Sequence, residues 1–177
     1  LSLIIALVIG IFVCLMNISS NIVLRGIAKF YIWLIRGTPM LVQAFYFYFA
    51  LPQLIQAVTG SQFRITVFTA SLVTLALNAG AYISEIFRGS IESVNKGQME
   101  AGRSLGLGYT DTMLQIIMPQ AIKNCLPALV NEMITLLKET SICGYIGLNE
   151  LTRGGDIIRG ITYDAMMPLL IVAVIYL

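Results

Sequence analysis

Long apolar runs broken by short polar stretches organise this chain, and their lengths predict helices that cross a membrane. Residues 1–16 make about 24 Å of helix at ~1.5 Å per residue, less than the ~30 Å of a hydrocarbon core. The chain opens on Leu1 rather than Met and ends at Leu177 inside an apolar run, so both outer spans are expected to be clipped. No basic stretch or small-residue cleavage site marks residues 1–16 as a signal peptide. Asn17-Ile-Ser-Ser-Asn21 reads as a turn rich in capping residues. Over residues 22–36 the pattern becomes amphipathic. Arg25, Lys29 and Arg36 share one face, while Ile27, Phe30, Ile32, Trp33 and Leu34 spread over the rest. A basic face flanked by Tyr31 and Trp33 suits the cytoplasmic membrane interface; a helix packed beneath its neighbours fits equally well.

Gly37-Thr38-Pro39 breaks that helix, and Pro39 is suited to start a second span over residues 40–58. Its aromatic run, Phe45 to Phe49, reads as packing or interface anchoring, with Gln43 as the polar outlier. Residues 59–62 form the outer turn, and a third span follows over residues 65–87, between Arg64 and Arg88. Asn78, Tyr82 and Glu85 fall on one stripe of it. Glu85 is assigned to an ion pair with Arg88 at i+3, whereas Asn78 lies deeper without a local partner and is a candidate for a polar pathway.

The polar island that follows, Met99 to Pro119, is predicted to form a rigid knob outside the lipid. A helical piece over residues 92–104 breaks at Gly106 and Gly108, restarts behind a Thr110-Asp111 cap and stops at Pro119. The fourth apolar run, residues 125–137, climbs only about 20 Å before meeting Lys138-Glu139-Thr140-Ser141. Either the helix breaks there and its end lines a cavity, or a short tilted helix has already reached the outer surface. The glycine-rich stretch 144–164 mixes Glu150, Asp156 and Asp164 with Arg153 and Arg159. Residues 148–153 within it read as a short helix capped by Asn149, and a fifth span starts near Ala165. Its acids either receive a cationic substrate or pair with the neighbouring arginines.

Composition places this all-α chain in a bilayer. Of 177 residues 58% are hydrophobic and 11% charged, against about half and a quarter in soluble domains. Mean hydropathy is +0.86. A net charge of +2 gives no concentrated basic face for nucleic acid. There is no histidine, the commonest general base and metal ligand. Cys14, Cys125 and Cys143 lie in or beside apolar runs without paired spacing and read as small buried thiols. No phosphate-binding Gly-x-x-x-x-Gly-Lys-Ser/Thr run occurs, so no ATP site is expected on this chain. Basic residues sort the loops: Arg25, Lys29, Arg36, Arg88, Lys96, Arg103 and Lys123 on one side, Arg64, Lys138, Arg153 and Arg159 on the other. The richer side is cytoplasmic. That puts the knob inside, the N-terminus outside and the C-terminus inside after about five transmembrane helices. The whole reads as one transmembrane domain, 1–177, containing a cytoplasmic loop at 89–124.

Glu100, Ala101, Gly106, Ile116 and Pro119 stand at the spacing of the EAA loop, and in this respect the chain resembles permease subunits of ABC importers. Gly102 replaces that pattern's second alanine and Met118 its leucine, both mild changes in volume. Asn78-Ala-Gly-Ala-Tyr-Ile-Ser-Glu-Ile-Phe-Arg-Gly89, Arg36-Gly-Thr-Pro39 and Lys138-Glu-Thr-Ser141 resemble the polar amino-acid branch of the family, and the likeness covers about residues 17–164. The resemblance implies a type I importer permease with a coupling helix. Glu100, Ala101, Gly102, Leu105, Gly106 and Tyr109 would dock on a cytoplasmic ATPase, which holds the ATP and Mg. A second permease copy, in a homodimer, and an extracytoplasmic binding protein would complete a transporter of the bacterial cytoplasmic membrane. No catalytic residue or metal site is expected on this chain.

An amino acid needs both charge signs around it, together with hydrogen-bonding groups. Lys138 suits its carboxylate and Glu139 its ammonium or a cationic side chain, with Asn78 and Ser141 adding hydrogen bonds. Glu150 and Asp156 nearby tilt the expectation toward arginine, lysine or histidine, with glutamine-like substrates open. A secondary transporter or channel subunit that ignores ATP accounts for the polar groups at depth equally well, but leaves the knob unexplained.

Overall fold

Every regular element is helical in the computed structural model, which describes residues 1–177. Helices α1 (Ser2–Ile18), α2 (Ile22–Gly37), α3 (Met40–Thr59) and α4 (Val67–Glu92) precede a short α5 (Lys96–Ser104). A continuous helix α6 occupies residues 109–139 and widens into one π turn at Met113–Ile117. The tight 3-10 segment Thr140–Ile146 leads into α7 (Leu151–Thr162) and α8 (Met166–Tyr176). By length and composition α3 and α4 suffice to cross a bilayer, while α1 and α8 are shorter apolar helices.

The central helix is α4. Its buried positions are mostly small: Ala70, Ser71, Thr74, Ala76, Ala79, Gly80, Ala81 and Ser84. Small side chains let helix backbones close in where lipid supplies no hydrophobic drive between them. The α1 contact is the tightest. A Cβ on Gly10 would sit 2.5 Å from Ile83 Cγ2, and one on Gly80 2.8 Å from Ile9 Cγ2. The buried hydroxyls are satisfied within the helix, since Ser71 donates to Val67 O, Thr74 to Ala70 O and Ser84 to Ala81 O. A span this rich in polar residues therefore leaves no hydroxyl unpaired in a low-dielectric interior.

Side-chain contacts fix the helix directions. Gly10 meets Ile83 and Asn17 donates to Glu85, so α1 and α4 run parallel. Gln43 meets Asn78, and Ala44 and Tyr48 share a cluster with Ala70 and Val67, so α3 runs antiparallel to α4. Asn124 donates to Ser93, and Leu136 packs with Leu75 and Ala79, so α6 is antiparallel to α4 as well. This alternation is what successive membrane crossings require. One cluster (Ala6, Met40, Leu75, Ala79, Ile83, Leu136 and Cys143) joins α1, α3, α4, α6 and the 3-10 segment.

Several boundaries differ from the sequence expectation. The piece expected over 92–104 is split: α4 ends at Glu92 and α5 begins at Lys96, capped by Asn95. The restart after the glycines is capped by Gly108, leaving Thr110 and Asp111 inside the first turn. Pro119 does not stop α6. The π turn ends two residues before it, and this wider register accommodates the carbonyl that its missing N–H leaves behind. The knob's second arm is therefore the start of a long helix rather than a short piece. Near the other end the helix spans Leu151–Thr162 and is capped by Glu150, whose carboxylate accepts from Thr152 N and Arg153 N, in place of an Asn149 cap over 148–153.

Candidate functional site

The elbow between α5 and α6 is built from backbone geometry. Gly106 adopts φ +88°, a left-handed conformation costly for residues with a Cβ. Around it Gly106 N donates to Arg103 O and Leu107 N to Gly102 O. These two bonds close α5 as a Schellman motif and satisfy its last carbonyls. Beneath the elbow lies a small core of its own. Val94, Ile117 and Ala121 are buried, with Ile91, Met99 and Met113 packed against them. It fixes α5 to the end of α4 and to the start of α6. Gly102 is buried where the two arms cross: a Cβ there would stand 2.5 Å from Thr112 Cγ2 and 3.2 Å from Ile116 Cδ1. The substitution of the family's alanine is thus not a mild one here, because no room exists for the methyl group.

The remaining predicted coupling residues point outward. Leu105 is 82% exposed and Tyr109 58%, and Glu100, Ala101 and Gly106 are exposed as well. Two large apolar side chains thus stand exposed on an elbow whose backbone is fixed from beneath.

The candidate substrate-binding residues and their polar neighbours fall into three places. Asn78 is buried and donates to Gln43 Oε1 at 3.2 Å, while Gln43 Nε2 donates to Ile35 O (2.7 Å), Thr38 O (3.1 Å) and Thr38 Oγ1 (2.9 Å). Gln43 thereby satisfies the carbonyls left open where α2 breaks at Gly37-Thr38-Pro39, and Asn78 ties that break to α4. Second, α6 presents Ala121, Cys125, Glu132 and Leu136 on its buried stripe. Glu139, seven residues beyond Glu132, lies on the same face and has a buried Oε2 with no hydrogen-bond partner. Glu132 is 9% exposed and joins no ion pair. Sequence reading passed over it within an apolar run; its helical phase relative to Glu139 was the available signal. Lys138 is exposed on the flank of this helix.

The third place is a cleft of about 370 Å³ lined by Ser141, Gly144, Tyr145, Glu150, Thr152, Arg153, Asp156 and Ile157. The structure brings Ser141, Glu150 and Asp156 together here, apart from Asn78, Lys138 and Glu139. Arg153 donates to Gly144 O at 2.9 Å, and Asp156 pairs with Arg159 at 3.2 Å. Glu85 makes the expected pair with Arg88 (2.8 Å); Arg36 also approaches it at 3.8 Å, and the Arg36 guanidinium lies over the Tyr82 ring. The three cysteines are buried and unpaired.

The fold has close counterparts. A solved amino acid ABC transporter with histidines superposes with a TM-score of 0.90 at 44% identity, over 99% of this chain and 78% of that one. The MetNI methionine ABC transporter in an inward-facing conformation shares the fold, with a TM-score of 0.73 at 19% identity, over 99% of this chain and 82% of that one. The arginine transport system permease protein ArtQ of Bacillus subtilis is 43% identical over 175 residues, 99% of this chain and 77% of its own length. The glutamine transport system permease protein GlnP of Escherichia coli is 40% identical over 171 residues, 97% and 76% of the two chains. Residues 5–177 match the profile of the binding-protein-dependent transport system inner membrane component, and with the EAA-type elbow in place the chain belongs to that family of ABC importer permeases.

Proposed function

We propose that this chain is the membrane-spanning subunit of an ATP-driven amino-acid importer, in which two copies form the path and two ATPase subunits grip the two elbows. The observation that carries this reading is the elbow itself: exposed Leu105 and Tyr109 on a turn packed rigidly against both α4 and α6. A partner moving the elbow moves both helices together. From Met118 to Glu139 the α segment of α6 is a lever of about 33 Å at ~1.5 Å per residue. Pro127 inside it is a place for a bend. One end of the lever meets the ATPase and the other carries Glu139 and the start of the Ser141 cleft. Because a ligand shifts an equilibrium only through differential contacts, the substrate groups must change surroundings as α6 tilts. ATP and Mg belong to the partner subunit, and a binding protein outside the membrane delivers the substrate.

The substrate reading is a basic amino acid. Glu132 and Glu139 give the buried face of α6 two carboxylates without an ion-pair partner, and Glu150 and Asp156 add acids at its outer end. Lys138, exposed beside the end of this face, supplies the cation for the substrate carboxylate, and Ser141 in the adjoining cleft adds a hydroxyl. An arginine permease stands among the relatives, and so does a glutamine permease, so the competing substrate is defined. The purified complex with its ATPase and binding protein, reconstituted in lipid, tests both. Glu139→Ala and Glu132→Gln should raise the arginine concentration for half-maximal ATPase stimulation by roughly tenfold, the value of one charge-assisted hydrogen bond. Lys138→Ala should weaken every amino acid alike. Unchanged stimulation in all three variants removes these residues from the pathway, and stimulation by glutamine but not arginine reverses the substrate assignment.

A further inference from the structure

The cytoplasmic end of the bundle holds a cleft of about 500 Å³ that the transport reading does not use. It is lined by Asn17 from the end of α1, Arg25, Lys29, Ile32 and Trp33 from α2, and Glu85, Arg88 and Glu92 from the end of α4. Arg88 is committed to Glu85 (2.8 Å) and Glu92 (2.6 Å), whereas Arg25 and Lys29 form no ion pair and are exposed. Three cations against two carboxylates leave the cleft with one net positive charge, and the two unengaged cations stand one turn apart on its wall.

Helix α2 has three sectors at about 100° per residue. Ala28 and Ile35 are buried against the protein, and Tyr31 on their flank donates to Leu77 O at 2.6 Å. Arg25, Lys29 and Arg36 form the basic sector. Ile22, Val23, Ile27, Phe30, Trp33 and Leu34 make up the third sector, and all are exposed. The apolar sector adjoins the basic one, with Trp33 at their border, where an indole favours the headgroup level of a bilayer. The cleft lies at the same end of α4 as α5, which begins four residues after Glu92.

We propose that this cleft is a binding site for an anionic phospholipid of the cytoplasmic leaflet. Its phosphodiester sits between Arg25 and Lys29, and its acyl chains run past Trp33 at the border and along Phe30. One phosphodiester charge matches the one net positive charge of the cleft, and the contiguous basic and apolar sectors match a headgroup and the chains attached to it. A free phosphate would use only the first. The side of the membrane rests on the proposed orientation of the coupling elbow.

The test uses the permease with its ATPase subunit and binding protein in vesicles of phosphatidylcholine doped with spin-labelled phosphatidylglycerol or spin-labelled phosphatidylcholine. The fraction of motionally restricted label gives the selectivity of the anionic over the neutral lipid. Arg25→Gln/Lys29→Gln should lower that selectivity roughly tenfold, from two surface cations removed, while Arg64→Gln, exposed at the opposite end, should leave it intact. Equal selectivity in the double variant and the unaltered chain overturns the proposal. Displacement of the lipid label by millimolar inorganic phosphate overturns it in favour of a soluble anion. Selectivity that appears only when the ATPase is stripped away overturns it in favour of a protein contact. ATP-driven uptake in the same vesicles is read separately: if it persists without lipid selectivity, the lipid site falls and the permease reading stands.

Discussion

Gly102 stands where the family pattern has alanine, and the reason is one helix away. Thr112 is fully buried against it, with its Oγ1 donating to Gly108 O at 2.9 Å, so the space a methyl would need is already filled. The two positions form a complementary pair, a small residue on α5 facing a branched one on α6. Gly102→Ala should overpack the elbow, costing about 1–3 kcal/mol of local stability. It should also lower ATP-driven uptake, because α5 tilts away from the arm it transmits to. Thr112→Ala removes both clashing atoms, while Gly108 O keeps its bond from Thr112 N at 3.0 Å. The double variant Gly102→Ala/Thr112→Ala should therefore recover most of the uptake that Gly102→Ala loses. Transport and thermal unfolding measured on all four chains complete the cycle, and strict additivity would show that the contact does not matter.

At the scale of elements, the break between α2 and α3 is held by a side chain from the helix after it. Gln43 hands its donors to Ile35 O and the Thr38 oxygens and its acceptor to Asn78, so one amide closes the break and docks it on α4. Gln43→Met should cost about 1–3 kcal/mol by leaving buried carbonyls without donors. Adding Asn78→Leu should cost less than the sum of the single changes, because the second group then has no lost partner; unfolding midpoints of the detergent-solubilised chain measure it. Sequence pattern located α3 and α4 to within a few residues, since hydropathy and length suffice where lipid dictates helix. It named Gln43 and Asn78 but had no means of joining them, because they are 35 positions apart. It ended a helix at Pro119 because the rule for proline assumes an α register, and the π turn over Met113–Ile117 changes that register locally. Glu132 escaped notice for a related reason: hydropathy averages one carboxylate into its apolar neighbours, and only helical phase shows that it shares the buried stripe with Leu136.

For the whole molecule the decisive quantity is which end of the bundle faces which solution. The parallel pair α1 and α4, with α3 and α6 antiparallel to α4, puts the α5 elbow and the α1–α2 turn at one end and Gly60, Ser61 and the Ser141 cleft at the other. Basic residues are concentrated at the elbow end, and the proposed orientation, which follows the positive-inside rule, places that end in the cytoplasm. Cys14, Cys125 and Cys143 are all buried, so the unaltered chain should be nearly blind to a membrane-impermeant maleimide and serves as its own control. Ser61→Cys and Leu105→Cys place an exposed thiol at each end without disturbing packing, since both side chains face solvent. Intact cells should label Ser61→Cys and spare Leu105→Cys, and inside-out vesicles should reverse the pattern. Adding the ATPase subunit should then slow labelling of Leu105→Cys several-fold while leaving Ser61→Cys unchanged, because the elbow becomes covered by the protein that moves it. Labelling of Leu105→Cys from outside the cell would place the elbow beyond the reach of any cytoplasmic ATPase. Labelling from inside without protection would leave the orientation standing but take the docking surface away from Leu105.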